Sequence, residues 1–183
     1  MLTTTLHPYR EALIAERFPA YQQRACRYAK WLVGNQGDSE EIVQEAFLRI
    51  TRRARQDDAL DCEKRFASLL FTIVRNLSID LLRKKGRRKT VPLSPAHEPA
   101  ANHHQPGDAN RLNHQITQLM VQLPENWAEA LKLKITGDLT YQEIADVLGC
   151  TKAQVRTWIY RARKKLACEL EKQGWLDNES RND

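Results

Sequence analysis

Apolar residues recur at intervals of three and four along most of the chain and nowhere alternate strictly with polar ones, which predicts helices and no strands. From Arg10, one stripe runs through Leu13, Ile14, Phe18, Tyr21, Ala25, Tyr28, Ala29, Leu32 and Val33. Pro19 lies inside that stripe and predicts either a bent helix or a pair of helices. The stretch from Gly34 to Gly37 ends the element. Asp38 followed by Glu41 matches the capping-box pattern and opens a helix whose inward stripe is Ile42, Val43, Ala46, Phe47 and Ile50. Residues Gln56 to Lys64 are polar and lack a period, so they read as a loop. A long helix follows, marked by Phe66, Leu69, Leu70, Ile73, Val74, Leu77 and Leu81 and ending in the run Arg83, Lys84, Lys85, Gly86, Arg87, Arg88 and Lys89.

Between Thr90 and Asn110 the large apolar residues vanish and Pro92, Pro95, Pro99 and Pro106 appear, the composition of an extended linker. The helical period returns near Leu112 with Ile116, Leu119, Met120 and Leu123. Pro124 suits the first position of a further helix, which buries Ala128, Leu131 and Ile135 and stops at Gly137. Two more capping boxes then lie one short helix apart, Thr140 with Glu143 and Thr151 with Gln154. Gly149 between them suits a left-handed closing residue, and Ile144, Ala145 and Leu148 can face Val155, Ile159, Ala162 and Leu166. This is a helix-turn-helix. The predicted fold is all-α, with two small helical domains (10–89 and 112–172) joined by a flexible Pro-rich linker (90–111). A tail (173–183) follows, whose Trp175 is placed to dock back.

Charge sharpens this outline. The 183 residues carry a formal net charge of +6 with a pI near 9.3, which favours an anionic partner. The charge is concentrated at the end of the third helix and on the last one, where no acid occurs from Lys152 through Ala167. Behind the Thr151 cap, the outward face of the last helix bears Lys152, Gln154, Arg156, Thr157, Tyr160, Arg161, Arg163 and Lys164. Those side chains suit a helix lying in a DNA major groove. Asn76, Asp80 and Arg83 share one face of the third helix. On the second helix, Glu40, Glu41, Gln44, Glu45 and Arg49 face outward, as dipole-compensating acids or as a ridge for a partner.

Other chemistry is thin. No run is long and apolar enough to span a bilayer and the first residues lack the order of a secretory signal, so a cytoplasmic protein is expected. Cys26, Cys62, Cys150 and Cys168 include no close pair, which speaks against zinc and disulfides. His97, His103 and His104 sit in the Pro-rich stretch without acidic or thiol companions, so no metal and no cofactor are expected. Ser39, Ser68 and Ser78 have no activating base, which argues against an enzyme such as a recombinase and against a small-molecule substrate.

Three segments in order, DSEEIVQEAFLRI, RFASLLFTIVRNLSIDLLRKKGRRK and LPENWAEALKLKITGDLTYQEIADVLGCTKAQVRTWIYRARKKL, resemble bacterial sigma factors of the sigma-70 family, extracytoplasmic-function (ECF) group. The resemblance implies a factor that binds core RNA polymerase through its beta-prime clamp and beta subunits, directs it to promoter DNA and helps melt the duplex. Asp38, Glu41, Gln44, Glu45 and Phe47 match the family's core-polymerase motif. Phe66 to Arg88 match its minus-ten helix, implying DNA contacts for Asn76, Asp80, Arg83, Lys84, Arg87 and Arg88, with the loop from about Ala59 to Lys64 helping Asn76 hold a flipped base. Thr151 to Lys164 match the minus-thirty-five reader, and an anti-sigma factor is an implied partner. Two positions depart from the family pattern: Leu69 stands where Trp is usual, and Trp158 where a basic residue is common. A linker of some two dozen residues reaches about 80 Å, enough for the roughly 60 Å between the two promoter elements. The rival reading is a stand-alone helix-turn-helix regulator. Such proteins are commonly dimers, and this chain has no dimer heptad or effector pocket, so a monomer is expected when free.

Overall fold

The computed structural model describes residues 6–56, 62–88 and 108–175, which form seven α-helices and, among the described residues, no strand. Helix α1 (Leu6–Val33) continues through Pro19 as one helix. Pro19 and Ala15, whose carbonyl would have received the missing N–H, are both exposed, so water can satisfy the lost bond.

Helix α2 (Gln36–Gln56) starts ahead of the cap predicted at Asp38. Asn35 takes that role: its Oδ1 accepts from the Asp38 backbone N–H at 2.8 Å, and its Nδ2 donates to Asp38 Oδ2 at 2.6 Å. Asp38 therefore lies in the first turn, where the helix dipole favours a carboxylate. Helix α3 (Cys62–Arg88) includes Cys62, Glu63 and Lys64, which the sequence reading left in a loop; Ala59 to Asp61 lie outside the described residues. The three helices pack on one another around Ile14, Tyr28, Val43, Ile50, Phe66, Leu70 and Val74.

The second bundle comprises α4 (Asp108–Val121), α5 (Glu125–Thr136), α6 (Tyr141–Leu148) and α7 (Lys152–Lys172). Helix α4 begins within the stretch whose composition reads as linker; His97, His103 and His104 lie outside the described residues. Pro124 is the residue before α5 rather than its first, with φ −52° and ψ 139°, and its carbonyl accepts from Trp127 and Ala128 at 2.9 and 3.0 Å. Helix α7 packs on α4, α5 and α6, and Trp175 folds back onto the core.

The two bundles also touch, α1 against α5 and α3 against α6. Helix α5 is therefore covered from two sides. Ala128, Glu129, Ala130, Leu131 and Leu133 are all buried, whereas Ile135, expected inside, is 60% exposed. No helix among the described residues is long and apolar enough to cross a membrane.

Candidate nucleic-acid and polymerase interfaces

Local hydrogen bonds fix the turn between α6 and α7. The Thr140 backbone N–H donates to Glu143 Oε2 at 2.7 Å while the Glu143 N–H donates to Thr140 Oγ1 at 3.2 Å. One helix later the pattern repeats, Thr151 N–H to Gln154 Oε1 at 2.9 Å and Gln154 N–H to Thr151 Oγ1 at 3.2 Å. Gly149 adopts φ +65° between them, which favours glycine, and its N–H donates to the Ala145 carbonyl. With both ends pinned, Val155, Ile159, Ala162 and Leu166 point inward and are buried.

The opposite face of α7 is open. Thr151, Lys152, Gln154, Arg156, Thr157, Tyr160, Arg161, Arg163 and Lys164 are all exposed, as predicted from the pattern. Arg156, Thr157 and Tyr160 line a shallow hollow together with Ala153, whose small side chain sits on the outermost line of the helix. Its position was readable from the same period, but a small apolar residue carries no charge signal. Gln154 has Oε1 committed to Thr151, so it cannot also offer adenine the paired donor and acceptor of a bidentate contact. The Arg161 guanidinium lies 5.8 Å from the Trp127 ring centre, a cation–π contact that ties it to α5. Trp158 is half-buried against the core and thus lies off the reading face; Leu69 likewise packs inward.

On α3, Asn76, Asp80, Arg83 and Lys84 are exposed, with Asp80 and Arg83 3.8 Å apart. The side chains of Arg87 and Arg88 lie outside the described residues. Lys85 reaches α2 and pairs with Asp38. Hydrogen bonds from Lys85 and Asn35 hold the Asp38 carboxyl below its ordinary pKa. Asp38 thus links the acidic helix to the basic one.

The acidic ridge on α2 consists of Glu41, Gln44 and Glu45, with Leu48, 46% exposed, completing the same face. Sequence reading missed Leu48, although its spacing of three and four from Glu45 and Gln44 marks it. Arg49 donates to Glu45 at 2.7 Å and holds that carboxyl below its ordinary pKa. Phe47 lies half-buried against Phe18, ring centres 4.3 Å apart, and so supports the ridge from beneath. Ser39, Ser68 and Ser78 are buried and donate to the carbonyls of Gln36, Arg65 and Val74 at 2.6, 3.2 and 2.8 Å, satisfying their own helices.

An open cationic helix behind a helix-turn-helix, a second helix with a basic end and an acidic ridge suit a protein that binds DNA and a protein partner. Residues 18–88 match the family model for sigma-70 region 2, and residues 113–166 match that for sigma-70 region 4. The chain belongs to the sigma-70 family, in its ECF group: a non-enzymatic initiation factor that binds RNA polymerase and directs transcription from promoters. It is similar to the ECF RNA polymerase sigma factor SigW of Bacillus subtilis (strain 168), 29% identical over 82% of this chain and 84% of that protein. It is also similar to the ECF RNA polymerase sigma factor SigE of Mycolicibacterium smegmatis (strain ATCC 700084 / mc(2)155), 31% identical over 83% of this chain and 59% of the relative. Among solved structures it is similar in fold to the sigma factor RpoE of Bartonella quintana in complex with the anti-sigma factor NepR. That match has a TM-score of 0.61 and 20% identity over 87% of this chain and 95% of the other. CnrH in complex with the cytosolic domain of CnrY gives a TM-score of 0.59 and 22% identity over 92% of each chain.

Proposed function

We propose that α7 reads the minus-thirty-five element, that the exposed face and basic end of α3 engage the minus-ten element, and that the ridge on α2 grips core polymerase. The observation that carries this reading is the acid-free outer face of α7, held open behind a doubly capped turn. Lys152 and Arg156, nearest the capped end, reach base edges across the groove, while Arg163 and Lys164 lean on phosphates. Asn76 receives a base rotated out of the duplex, whose unstacking costs a few kcal/mol unless a polar site accepts it. Residues 10–89 and 112–172 act as the two promoter-reading domains, with 90–111 between them as linker.

The free factor is a monomer that works in the cytoplasm, joins the nucleoid through polymerase and is held by an anti-sigma factor, which at the membrane would keep it there. Support for that partner comes from the solved structure of like fold in which the sigma factor RpoE is in complex with the anti-sigma factor NepR. The test is transcription from genomic DNA with purified core polymerase, followed by mapping of start sites. The starts should share one pair of upstream elements. Initiation without shared elements, or equal initiation by core alone, would refute the reading.

A further inference from the structure

The outer line of α7 is cationic but not uniformly so. Ala153, Arg156, Thr157 and Tyr160 follow the i, i+3, i+4, i+7 spacing of one helix face, opposite the buried Val155, Ile159 and Ala162, and together line the shallow hollow. Apart from Arg156, what these residues offer the hollow is carbon. Ala153 is exposed and ends at its methyl group. Thr157 donates its hydroxyl proton to the Ala153 carbonyl at 3.0 Å, so the helix itself uses its polar group and the methyl is left. Tyr160, 65% exposed, adds an aromatic ring that the core does not cover.

The major groove limits what can fill such a hollow. Base edges there present ring nitrogens, carbonyl oxygens and amino groups, and the one carbon substituent on an unmodified base is the C5-methyl of thymine. Gln154 has its acceptor committed to Thr151 and Thr157 its proton committed to Ala153, so neither replaces a methyl contact with a paired hydrogen bond. Arg156, at the edge of the hollow, is the cation able to pair with a guanine beside it.

We propose that the hollow formed by Ala153, Thr157 and Tyr160 receives the C5-methyl group of a pyrimidine in the minus-thirty-five element, thymine in unmodified DNA, next to a guanine held by Arg156. The inference rests on the reading of α7 given above, and its test separates the two.

The whole chain is assembled with core polymerase, and a duplex library randomised over the minus-thirty-five element is selected for binding. Each thymine of the selected element is then replaced by deoxyuridine, which removes the methyl group and keeps every hydrogen-bonding atom. At one thymine, beside the position that Arg156→Ala relaxes, the exchange should weaken binding about fourfold, the worth of one buried methyl group. Ala153→Leu fills the hollow with a good helix former at an exposed position, so this variant should bind the thymine and deoxyuridine duplexes equally. Thr157→Ser keeps the bond to Ala153, loses only a methyl group and should reduce the ratio. Arg163→Ala should weaken both duplexes and preserve it. At the same site 5-methylcytosine should bind more tightly than cytosine, which separates the methyl group from the thymine that ordinarily carries it. A selection that yields no shared element overturns the reading of α7 and the hollow with it. A shared element in which deoxyuridine replaces every thymine without loss overturns the hollow alone, as does a deoxyuridine effect that Ala153→Leu leaves intact.

Discussion

Replacing Gly137 by alanine tests the contact between the bundles with a single methyl group. The backbone there is right-handed, φ −82° and ψ −21°, so alanine fits it without strain. A less flexible unfolded chain would then stabilise the variant by about 0.4–1 kcal/mol. Against this stands the room available. The new Cβ would lie 2.7 Å from the Leu133 carbonyl oxygen and 3.1 Å from Phe71 Cε1 and Cζ. Neither neighbour yields easily, because Leu133 O already accepts the Gly137 N–H at 3.0 Å and Phe71 is fully buried beside Tyr28, ring centres 5.6 Å apart. Overpacking of this kind costs about 1–3 kcal/mol, so the clash wins by about 1 kcal/mol. At this chain length that lowers the melting temperature by about 2–4 °C. Thermal and urea unfolding followed by circular dichroism measure it. Phe71→Leu should relieve part of the added cost, giving a favourable coupling between two residues far apart in sequence. A Gly137→Ala chain that melts at the original temperature or above would refute the tight approach.

Further outcomes follow from the same geometry. Glu41→Lys with Glu45→Lys should slow association with core polymerase by about tenfold at low salt and less at high salt; unchanged association of a folded variant would remove the ridge from the polymerase contact. Arg156→Ala should relax base preference at particular positions, by about 1–3 kcal/mol, whereas Arg163→Ala should weaken all promoters alike and reduce the salt slope by about 0.9. Randomised-element selection beside salt titration reads both, and the reversed result would invert the helix in its groove. Burial first, and then the Glu129 carboxylate, raise the Tyr28 pKa well above its ordinary value of 10.0. The unfolded chain therefore releases this proton at a lower pH than the folded one. The stabilisation is complete below about pH 10 and declines as pH rises towards the folded pKa. Denaturant midpoints measured across the alkaline range should fall more steeply for the original chain than for Tyr28→Phe, and equal slopes would contradict the assignment.

The helix-turn-helix was legible because its determinants are local. Two threonines each followed three residues later by Glu or Gln, a glycine at the turn and an apolar period fix both helices without help from distant residues. The second helix shows how a local pattern misleads. Asn35 with Asp38 and Asp38 with Glu41 compete for one helix start. Asparagine prevails by supplying both an acceptor for the backbone and a donor for the carboxylate. Lys85 then draws Asp38 towards α3, across a separation of 47 residues that no spacing rule contains. Pro19 left a bent helix and a pair of helices both open, and the single helix prevails because water can reach the orphaned carbonyl, which the surrounding fold decides.

Helix α5 marks the limit of period reading. A single stripe implies one neighbour, but α5 packs on α6 and α7 on one side and on α1 on the other. Glu129, set between Ala128 and Ala130, looks like a solvent residue until Arg75 and Tyr28, 54 and 101 positions away, are brought to it. The choice of a buried ion pair here has a thermodynamic meaning. Removing one member of such a pair costs about 3–5 kcal/mol, whereas a well-packed apolar replacement is often neutral, so the pair is a poor means of maximising adhesion. Its advantage appears on separation. An apolar patch of the same area would stay costly in water, while an arginine, a tyrosine hydroxyl and a glutamate regain their hydration as the bundles part. The contact therefore specifies how the bundles dock while leaving them separable.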